Sequence, residues 1–597
     1  MADLIVDRLA EHTGHLFGVG GANIEDIYDA VHRTHTPLTG IVAKHEFGAA
    51  TMADGYARST GRLGVVAATS GGGAMNLLAA LAESFDSRTP VLALVGQPPL
   101  PLEGRGAFQD TSGGPGRLDA HRIFAAVSRY CAKLTRAEDI HVELDRAIAA
   151  AQSGGPAVLL LPKDIQAAPL PPHEYAPPPI VAALGHARPM PSGPTPGSKA
   201  SETGVAPSVS MPLSAVRVVP PTGQAPSGEA PVAAGSSGAG ESVDRAVTLL
   251  AGDHGGPVVV IAGPEVARAD ARAALAALVA ALDASVLVTP DAKDAFPNDD
   301  PHFAGVVGIM GHPHAPKLVS EAAVCVLAGA TLSMTARAGL DDPLAACPVV
   351  VHLGDDDPFV PVHGRVRGEL GAALQVLADA VELSGSAVPQ ELRNGIPELS
   401  VPVSAGPGVR YREAVAAIAA RLEPGTDVVA DAGNTGAAVV HYLPVPADGR
   451  FLIALGMGGM GYAFGAGVGS ALGRGRRTCV IAGDGAYFMH GHEVHTAVEH
   501  SVPVTFIVFN NNAHAMCVTR EQLYYSGDYT YNRFGAAEIG AGVAAMFPHL
   551  PAWSATTLTE FEDALDRARG VAGPSFIELR CDPDEIPPFA PFLKEFA

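Results

Sequence analysis

The sequence predicts an α/β protein built from three doubly wound parallel-sheet domains, and three observations support this prediction. The chain has 597 residues, more than the roughly 250 to 300 residues at which a single hydrophobic core stops growing. Short runs that are apolar throughout alternate with Ala-rich stretches, as expected for strands that are buried on both faces under helices. Hydrophobic residues make up 47% and charged residues 17% of the chain, which excludes a disordered protein.

The first domain is expected at residues 1–170. Its predicted strands are the Gly-punctuated apolar runs LFGVG, LTGIVAK, GVVAAT, PVLALVG and PAVLLLP. Residues 171–240 then change to Pro, Ser, Gly and Ala with few large apolar side chains. Such a segment cannot bury enough apolar surface to offset its ordering entropy, so it is predicted to be a flexible linker.

Two further α/β units follow. A Rossmann-like middle domain is predicted at 241–385, with a helix ending at Leu250, an Ala-rich helix at 269–282, and the strands PVVVIAG, SVLVTP, AVCVLAG and PVVVHLG. A second linker is predicted at 386–407. The third domain, 408–597, has the predicted strands DVVADAG, FLIALG, CVIAGDG and VTFIVFN.

Charge and cysteine usage exclude several classes of protein. The formal net charge is −23 and no long basic run is present, which argues against a nucleic-acid surface and favours a small-molecule partner. The N-terminus has no basic segment followed by an apolar stretch, and no apolar run reaches membrane-spanning length, so a cytoplasmic protein is predicted. The six cysteines are scattered without a CxxC pair, which favours free thiols over a zinc site or disulfide framework.

Polar residues follow two consecutive predicted strands of the third domain. Gly483-Asp484-Gly485 ends the first strand and Asn510-Asn511-Asn512 ends the second, with a helix predicted at 490–500 between them. A right-handed crossover brings both strand ends to one edge of the sheet, so Asp484 and Asn511 can face one ion. Their oxygens suit magnesium, and the glycines allow a diphosphate to approach backbone N–H groups. Without further support, the same residues would usually be ordinary turn residues.

This spacing resembles the GDG-to-NN cofactor motif of thiamine-diphosphate enzymes. By that resemblance Asp484, Asn511 and the carbonyl of Ala513 bind magnesium. The same resemblance places Gly485, Ala486 and His514 at the cofactor. For His514, a role as an ordinary loop residue is an equal alternative.

Glu46, in the segment VAKHEFGAATMADGYARSTG, resembles the N-terminal glutamate of this family. The resemblance implies that its carboxyl group binds the aminopyrimidine and drives the tautomer that deprotonates the thiazolium. A glutamate at a helix start is otherwise an ordinary partner of the helix dipole.

The segment ALGMGGMGY implies two more cofactor contacts. By resemblance, Met460 lies under the cofactor and the carbonyl of Gly458 receives its amine, whereas core packing is the simpler role for a methionine. Asn434 and Thr435, at another strand end, are predicted diphosphate contacts. Met516 is also predicted to line the site.

Further segments resemble this family, and they occur in the same order along nearly the whole chain. They are TSGGGAMN at 69–76, DSRTPVLALVGQ at 86–97, FQ at 108–109, GPAVLLLPKD at 155–164 and the segment 293–301. Together they resemble the acetohydroxyacid (acetolactate) synthase and pyruvate oxidase branch. This implies decarboxylation of a 2-oxo acid such as pyruvate and carboligation to a second carbonyl, in a homodimer or homotetramer with the site at the subunit interface. A non-ligating decarboxylase or oxidase is the alternative.

The substrate pocket departs from that branch. Gln109, His121, His490, Met516 and Arg520 are the predicted lining residues. Arg520 stands where the synthases have a substrate-selecting tryptophan, which favours an anionic or polar acceptor because a guanidinium can bind a carboxylate. A solvated surface arginine is an equal alternative. The resemblance also allows flavin (FAD) in the middle domain, where Gly305–Gly311 is the matching stretch.

Two other functions are compatible with parts of the sequence. Gly456–Gly461 fits GxGxxG after a predicted strand, with Asp484 ending the next one, as in an NAD-binding Rossmann dehydrogenase. That function leaves Glu46 and the Asn triplet unexplained. A non-catalytic subunit that binds the cofactor is the other alternative, and the intact Glu46 argues against it.

Overall fold

The computed structural model describes residues 1–170, 245–250, 256–380, 395–529 and 531–594. The predicted linker 171–240 and residues 386–394 of the second linker lie outside this part of the chain, so both linkers remain predictions. The described residues form three six-stranded sheets, and every strand pairing within them is parallel. The predicted fold class is therefore confirmed.

The first sheet has the order β2-β1-β3-β4-β6-β5. Its strands are β1 (His15–Gly18), β2 (Thr39–Val42), β3 (Gly64–Ala68), β4 (Val91–Gln97), β5 (Tyr130–Lys133) and β6 (Pro156–Pro162). Its helices are Ala2–Ala10, Glu25–Arg33, Glu46–Thr60, Gly72–Asn76, Leu78–Asp86, Ala120–Ala125, Ile140–Gln152 and Lys163–Ala167. The central strands β3, β4 and β6 are buried at every residue, as helices on both faces require.

The middle sheet has the order β12-β11-β10-β7-β8-β9, a doubly wound Rossmann arrangement. Its strands are β7 (Val258–Ala262), β8 (Ser285–Val288), β9 (Phe303–Val306), β10 (Val324–Ala328), β11 (Val349–Leu353) and β12 (Gly364–Val366). Its helices are Glu265–Arg268, Arg272–Leu282, Ala315–Glu321, Met334–Arg337, Asp341–Ala346 and Leu370–Ala380. Residues 245–250 are also helical.

The third sheet repeats the strand order of the first, β14-β13-β15-β16-β18-β17. Its strands are β13 (Asp427–Ala430), β14 (Phe451–Ile453), β15 (Thr478–Gly483), β16 (Val504–Asn510), β17 (Ala552–Ala555) and β18 (Ser575–Arg580). Its helices are Tyr411–Ala419, Gly433–Tyr442, Tyr462–Arg474, Asp484–His490, Val494–Glu499, Ala515–Tyr524, Ile539–Met546, Leu558–Arg569 and Ala590–Leu593.

Two parallel helices join the first and third domains. Helix Glu46–Thr60 packs along helix Tyr462–Arg474, and small residues allow the backbones to approach closely. A β-carbon on Gly55 would lie 2.2 Å from the carbonyl oxygen of Ala466, and one on Gly469 would lie 1.9 Å from that of Met52. Because the contacts advance in the same direction along both helices, their N-termini lie at the same end.

The sequence prediction of strands was incomplete. It missed the short or partly charged strands β5, β9, β12, β17 and β18. In β18 the signal was broken by Glu578, whose buried carboxylate accepts hydrogen bonds from Gly540 and Ser554. The helix predicted at 490–500 was also wrong in its bounds, since Asp484–His490 is helical and the next α-helix begins at Val494.

Candidate functional site

Three polar groups meet at the carboxyl edge of β15 and β16. The Asp484 carboxylate accepts hydrogen bonds from the N–H groups of Gly485 (2.8 Å) and Ala513 (3.2 Å), and Oδ1 of Asn511 accepts from the same Ala513 N–H at 3.0 Å. Both side chains are buried. Burial raises the pKa of Asp484 to about 6. Its ionised form is therefore destabilised when no cation is bound, and a bound cation would stabilise it.

The fit to magnesium rests on the chemistry of these donors. In the described part of the chain, no group of three His, Cys, Asp or Glu side chains is placed to hold a metal. One carboxylate, one amide oxygen and the adjacent Ala513 carbonyl would instead leave further positions for phosphate or water oxygens, as magnesium prefers.

Gly485 provides the space for close approach beside this edge. A β-carbon on Gly485 would lie 2.5 Å from Cδ2 of His514 and 3.1 Å from Cε of Met460. The His514 ring is held at that position by an edge-to-face contact with Phe534, with centroids 4.6 Å apart. Met460 and His514 therefore both lie next to the Gly485 backbone.

Two carboxylates, one from the third domain and one from the first, fix the Gly456–Gly461 loop. Asp431, at the end of β13, accepts hydrogen bonds from Gly461 N and Ala463 N, both 2.9 Å long. Glu83 of the first domain accepts from Met457 N at 2.6 Å. Between these anchors the backbone of Gly458 has φ of +66°, a left-handed conformation that favours glycine.

Asn434 and Thr435 lie in the first turn of helix Gly433–Tyr442, at the same sheet edge. Both are buried, and Thr435 Oγ1 lies 3.6 Å from where a β-carbon on Gly483 would be. Oδ1 of Asn434 is buried without a hydrogen-bond partner among the described residues. A buried polar atom of this kind is expected where a ligand completes the site.

A second polar group surrounds Glu46 in the first domain. Its carboxylate accepts a hydrogen bond from Asn76 Nδ2 at 2.9 Å, and its Oε1 lies 2.9 Å from where a β-carbon on Gly73 would be. The same point is 2.9 Å from Thr69 Cγ2, and Thr69 donates to Gln109 at 3.4 Å. Gln109 also has a left-handed backbone, with φ of +57°. Glu46 and Gln109 therefore belong to one cluster.

The start of the Glu46 helix contacts the third domain. The Phe47 ring stacks on His490 with centroids 4.1 Å apart. The buried Glu493 carboxylate accepts hydrogen bonds from the N–H groups of Lys44 and His45, each 3.1 Å long. Burial, followed by the neighbouring His45, lowers the pKa of His490 to about 4, so this imidazole is neutral at physiological pH.

The remaining predicted residues lie in different surroundings. His121 is exposed and its Nε2 lies 3.1 Å from the Cys131 carbonyl, at edge strand β5. Arg520 is exposed on helix Ala515–Tyr524. Ala486 is buried in the core cluster shared by the first and third domains, whereas Met516 packs against the separate cluster of the middle and third domains.

Sequence reasoning missed several residues that hold this site together. Glu83 and Glu493 gave no local signal because each is a glutamate within a helical stretch, and their partners are more than 370 residues away. Asp431 was visible as a strand-end residue in DAGNTG, but its bonds to the glycine loop follow from the tertiary arrangement. Tyr411, whose hydroxyl accepts from Asn511, belongs with them.

The strand order argues against the NAD-binding alternative. The glycine loop follows β14, which is at the edge of the sheet, and β13 separates β14 from the strand that ends at Asp484. In a dinucleotide fingerprint the glycine loop and the acidic residue follow neighbouring strands. Asp484 is instead bonded to Gly485 and Ala513.

Comparison with known families agrees with this geometry. The N-terminal TPP-binding domain model of the thiamine pyrophosphate enzymes matches residues 1–114, the central domain model matches 243–378, and the C-terminal TPP-binding domain model matches 431–579. Together these ranges cover more than half of the chain. The chain belongs to the thiamine pyrophosphate enzymes.

Relatives of this thiamine pyrophosphate enzyme are similar over nearly its full length. A probable acetolactate synthase large subunit of Methanocaldococcus jannaschii is 26% identical, over 99% of this chain and 93% of the relative. The acetolactate synthase large subunit of Haemophilus influenzae is 26% identical over 98% and 95%. An acetolactate synthase of Arthrospira platensis is 27% identical over 97% and 94%. The similarity places this enzyme in the acetolactate synthase branch.

The switch point of the middle sheet in this thiamine pyrophosphate enzyme adjoins a cavity of about 800 Å³, whose lining includes Pro264, Gly329 and Asp356. The order of the strands reverses between β7 and β10, and ligands of such folds bind at this switch point. Glu265 lies there, buried, and its carboxylate accepts from Asp355 N at 3.2 Å. A β-carbon on Gly354 would lie 2.6 Å from Glu265 Oε2. FAD, which the resemblance allows in this domain, stays a prediction.

Proposed function

We propose that this chain decarboxylates a 2-oxo acid, with pyruvate as the first candidate, and ligates the acyl unit to a second carbonyl compound with thiamine diphosphate and magnesium. The observation that supports this most directly is the meeting of Asp484 and Asn511 at the Ala513 N–H. A metal–diphosphate group bound there would lie beside Met460 and the glycine loop. The full-length similarity to acetolactate synthases favours ligation over simple decarboxylation.

In this proposal Asp484, Asn511 and the Ala513 carbonyl hold magnesium. Asn434, Thr435 and the backbone at Gly485 and Ala486 bind the diphosphate, with His514 beside it. Met460 would contact the cofactor and the Gly458 carbonyl would accept a hydrogen bond from its amine, while Met516 lies on the adjacent helix. The cofactor, when bound, supplies the electron sink that allows a 2-oxo acid to lose carbon dioxide.

Glu46 provides the proton control that this reaction needs. Its carboxyl group would exchange a proton with the aminopyrimidine nitrogen, and Asn76 orients that carboxyl group by donating to Oε2. Gln109 positions the substrate from the same cluster. His490, whose pKa burial lowers to about 4, would act at the pocket as a neutral imidazole. His121 is left out of this mechanism because its contact is with the edge strand.

Exposed apolar side chains flank both halves of the site and support a homodimer or homotetramer. Phe108 is 77% exposed beside Gln109, Met457 is 56% exposed in the glycine loop, and Phe488 is 51% exposed on the helix that begins at Asp484. Clustered apolar exposure is typical of an interaction surface. A second copy would cover it and complete the site. An active enzyme that sediments as a monomer would refute this assembly.

A cytoplasmic location is part of the same proposal. All six cysteines are free thiols, and four of them are buried. Free thiols are typical of a reducing compartment. No helix of the described residues is long and apolar enough to cross a membrane.

The test of function is product analysis with matched acceptors. The purified enzyme, given pyruvate, thiamine diphosphate and magnesium, should release carbon dioxide and form a ligated product that mass spectrometry identifies. Acetaldehyde alone would show that the enzyme is a decarboxylase. Supplying neutral aldehydes and anionic 2-oxo acids as acceptors tests Arg520, because a free guanidinium should favour the anionic acceptor. Equal rates with both classes would remove that role.

FAD in the middle domain is a prediction of the resemblance, and it is tested separately. Flavin absorbance in the purified enzyme, or quenching of the fluorescence of added FAD, would show that the enzyme binds it. An enzyme without flavin absorbance that leaves the fluorescence of added FAD unchanged would exclude FAD.

A further inference from the structure

Tyr411 connects the candidate magnesium site to the C-terminal end of the third sheet. It is the first residue of helix Tyr411–Ala419, is buried, and stacks on Phe509 with centroids 6.1 Å apart. Its hydroxyl accepts a hydrogen bond from Asn511 Nδ2 at 3.1 Å. Its own N–H donates to the Glu585 carboxylate at 3.0 Å. The hydroxyl is therefore held at a fixed place beside Asn511.

The Asn511 amide is bonded at both ends. Nδ2 donates to the Tyr411 hydroxyl, and Oδ1 accepts from Ala513 N at 3.0 Å. Rotation of the amide by half a turn would bring its NH₂ group against the Ala513 N–H and remove the oxygen from the Asp484 side. Only the oxygen of an amide can bind a cation. The orientation of this one amide therefore decides whether Asn511 is a ligand.

Tyr411 is itself anchored by the segment that follows β18. Arg410 donates to Asp582 at 2.9 Å and lies 3.9 Å from Glu585. Burial raises the pKa of Glu585 to about 7, but its two hydrogen bonds from Tyr411 N are made by acceptor oxygens that are present in either protonation state. The position of Tyr411 therefore does not depend on whether Glu585 is protonated.

We propose that Tyr411 is a positioning residue for magnesium, holding the Asn511 amide so that its oxygen faces the cation. This inference rests on the proposed function. It adds a residue that makes no contact with metal or cofactor, and that is separated from Asn511 by 100 positions in sequence. Groups that orient metal ligands typically change metal affinity by about 10- to 100-fold.

The test is the magnesium affinity of Tyr411→Phe, which keeps the ring and removes the hydroxyl. Thiamine diphosphate is held in excess, and the change in Trp553 fluorescence or circular dichroism on cofactor binding is followed as magnesium is added. Half-saturation should move to about 10- to 100-fold higher magnesium, while kcat at saturating magnesium stays near that of wild type. The control is Tyr442→Phe, whose ring packs on His441 in the same domain and whose magnesium affinity should be unchanged.

A second background separates positioning from a general loss of structure. In Asn511→Asp both ends of the side chain are oxygens, so orientation no longer matters. Adding Tyr411→Phe to that variant should weaken magnesium binding by a few-fold at most. An equal loss in both backgrounds, or unchanged affinity in the single variant, would overturn the inference. Wild type that binds neither cofactor nor magnesium would instead refute the proposed function.

Discussion

Glu46→Gln is expected to lower turnover at neutral pH by about 10²- to 10⁴-fold, the usual contribution of a positioned proton-transfer group. Glutamine retains the size of the side chain and one oxygen that can accept from Asn76 Nδ2. Its other end is an NH₂ group, which can neither hold nor return an acidic proton. The loss should therefore appear in kcat, with the affinity for thiamine diphosphate and magnesium changed by a few-fold at most.

The direct measurement is the exchange of the cofactor's C2 proton with deuterium, followed by nuclear magnetic resonance in the holoenzyme. Exchange should slow in Glu46→Gln in parallel with turnover. The matched control is Glu138→Gln, because Glu138 is an exposed glutamate of the same domain that pairs with Arg136 at 3.6 Å. Full activity in Glu46→Gln would leave the mechanism proposed here without its proton-transfer group.

Asp484→Asn should abolish retention of cofactor and metal. The carboxylate accepts one N–H bond with each oxygen, from Gly485 and from Ala513. In asparagine one of these positions becomes an NH₂ group that faces an N–H donor, and the negative charge opposite the cation is lost. We expect magnesium affinity to fall by at least about 100-fold, beyond the range seen when a group that only orients a ligand is removed.

Thermal unfolding checks this prediction without relying on activity. Magnesium and thiamine diphosphate together should raise the wild-type Tm, because a ligand that binds the folded state stabilises it. The shift should be absent in Asp484→Asn and present in Asp563→Asn, a variant of an exposed aspartate on helix Leu558–Arg569. Chelation of magnesium from wild type should reproduce the unshifted Tm. A normal shift in Asp484→Asn would exclude this residue as a ligand.

The metal-free protein also gives a pH dependence with a defined sign. Burial raises the folded-state pKa of Asp484 from 3.8 to about 6. The folded state therefore binds more protons than the unfolded state in that window, and this group lowers stability as pH rises from about 4 to about 6. Comparing the Tm of metal-free wild type and Asp484→Asn across that range isolates the contribution, which should be smaller when magnesium and cofactor are present.

The sequence by itself determined the fold class and the residues that are candidates for chemistry. Buried parallel strands require continuous apolar runs, so β3, β4, β7, β10, β15 and β16 were visible without a structure. The motif GDG and the Asn triplet follow two such strands, and neighbouring parallel strands end at the same sheet edge. The meeting of Asp484 and Asn511 could therefore be predicted from local pattern and topology alone.

Strands whose apolar pattern is interrupted were not predictable in this way. β18 is paired on both sides in the sheet and contains Glu578, which is tolerated because Gly540, Ser554 and Asn510 donate to it. These donors come from three distant segments. From sequence alone, a charged residue in a candidate strand predicts an exposed position, because the distant partners that allow its burial are not visible.

Tertiary structure alone decided how the site is held. Glu83, Asp431 and Glu493 fix the glycine loop and the start of the Glu46 helix, and Tyr411 orients Asn511, through contacts between residues far apart in sequence. Local sequence determines which strand or helix forms, because periodicity reflects burial, whereas the hydrogen-bond partner of a buried polar group depends on which distant segment packs against it.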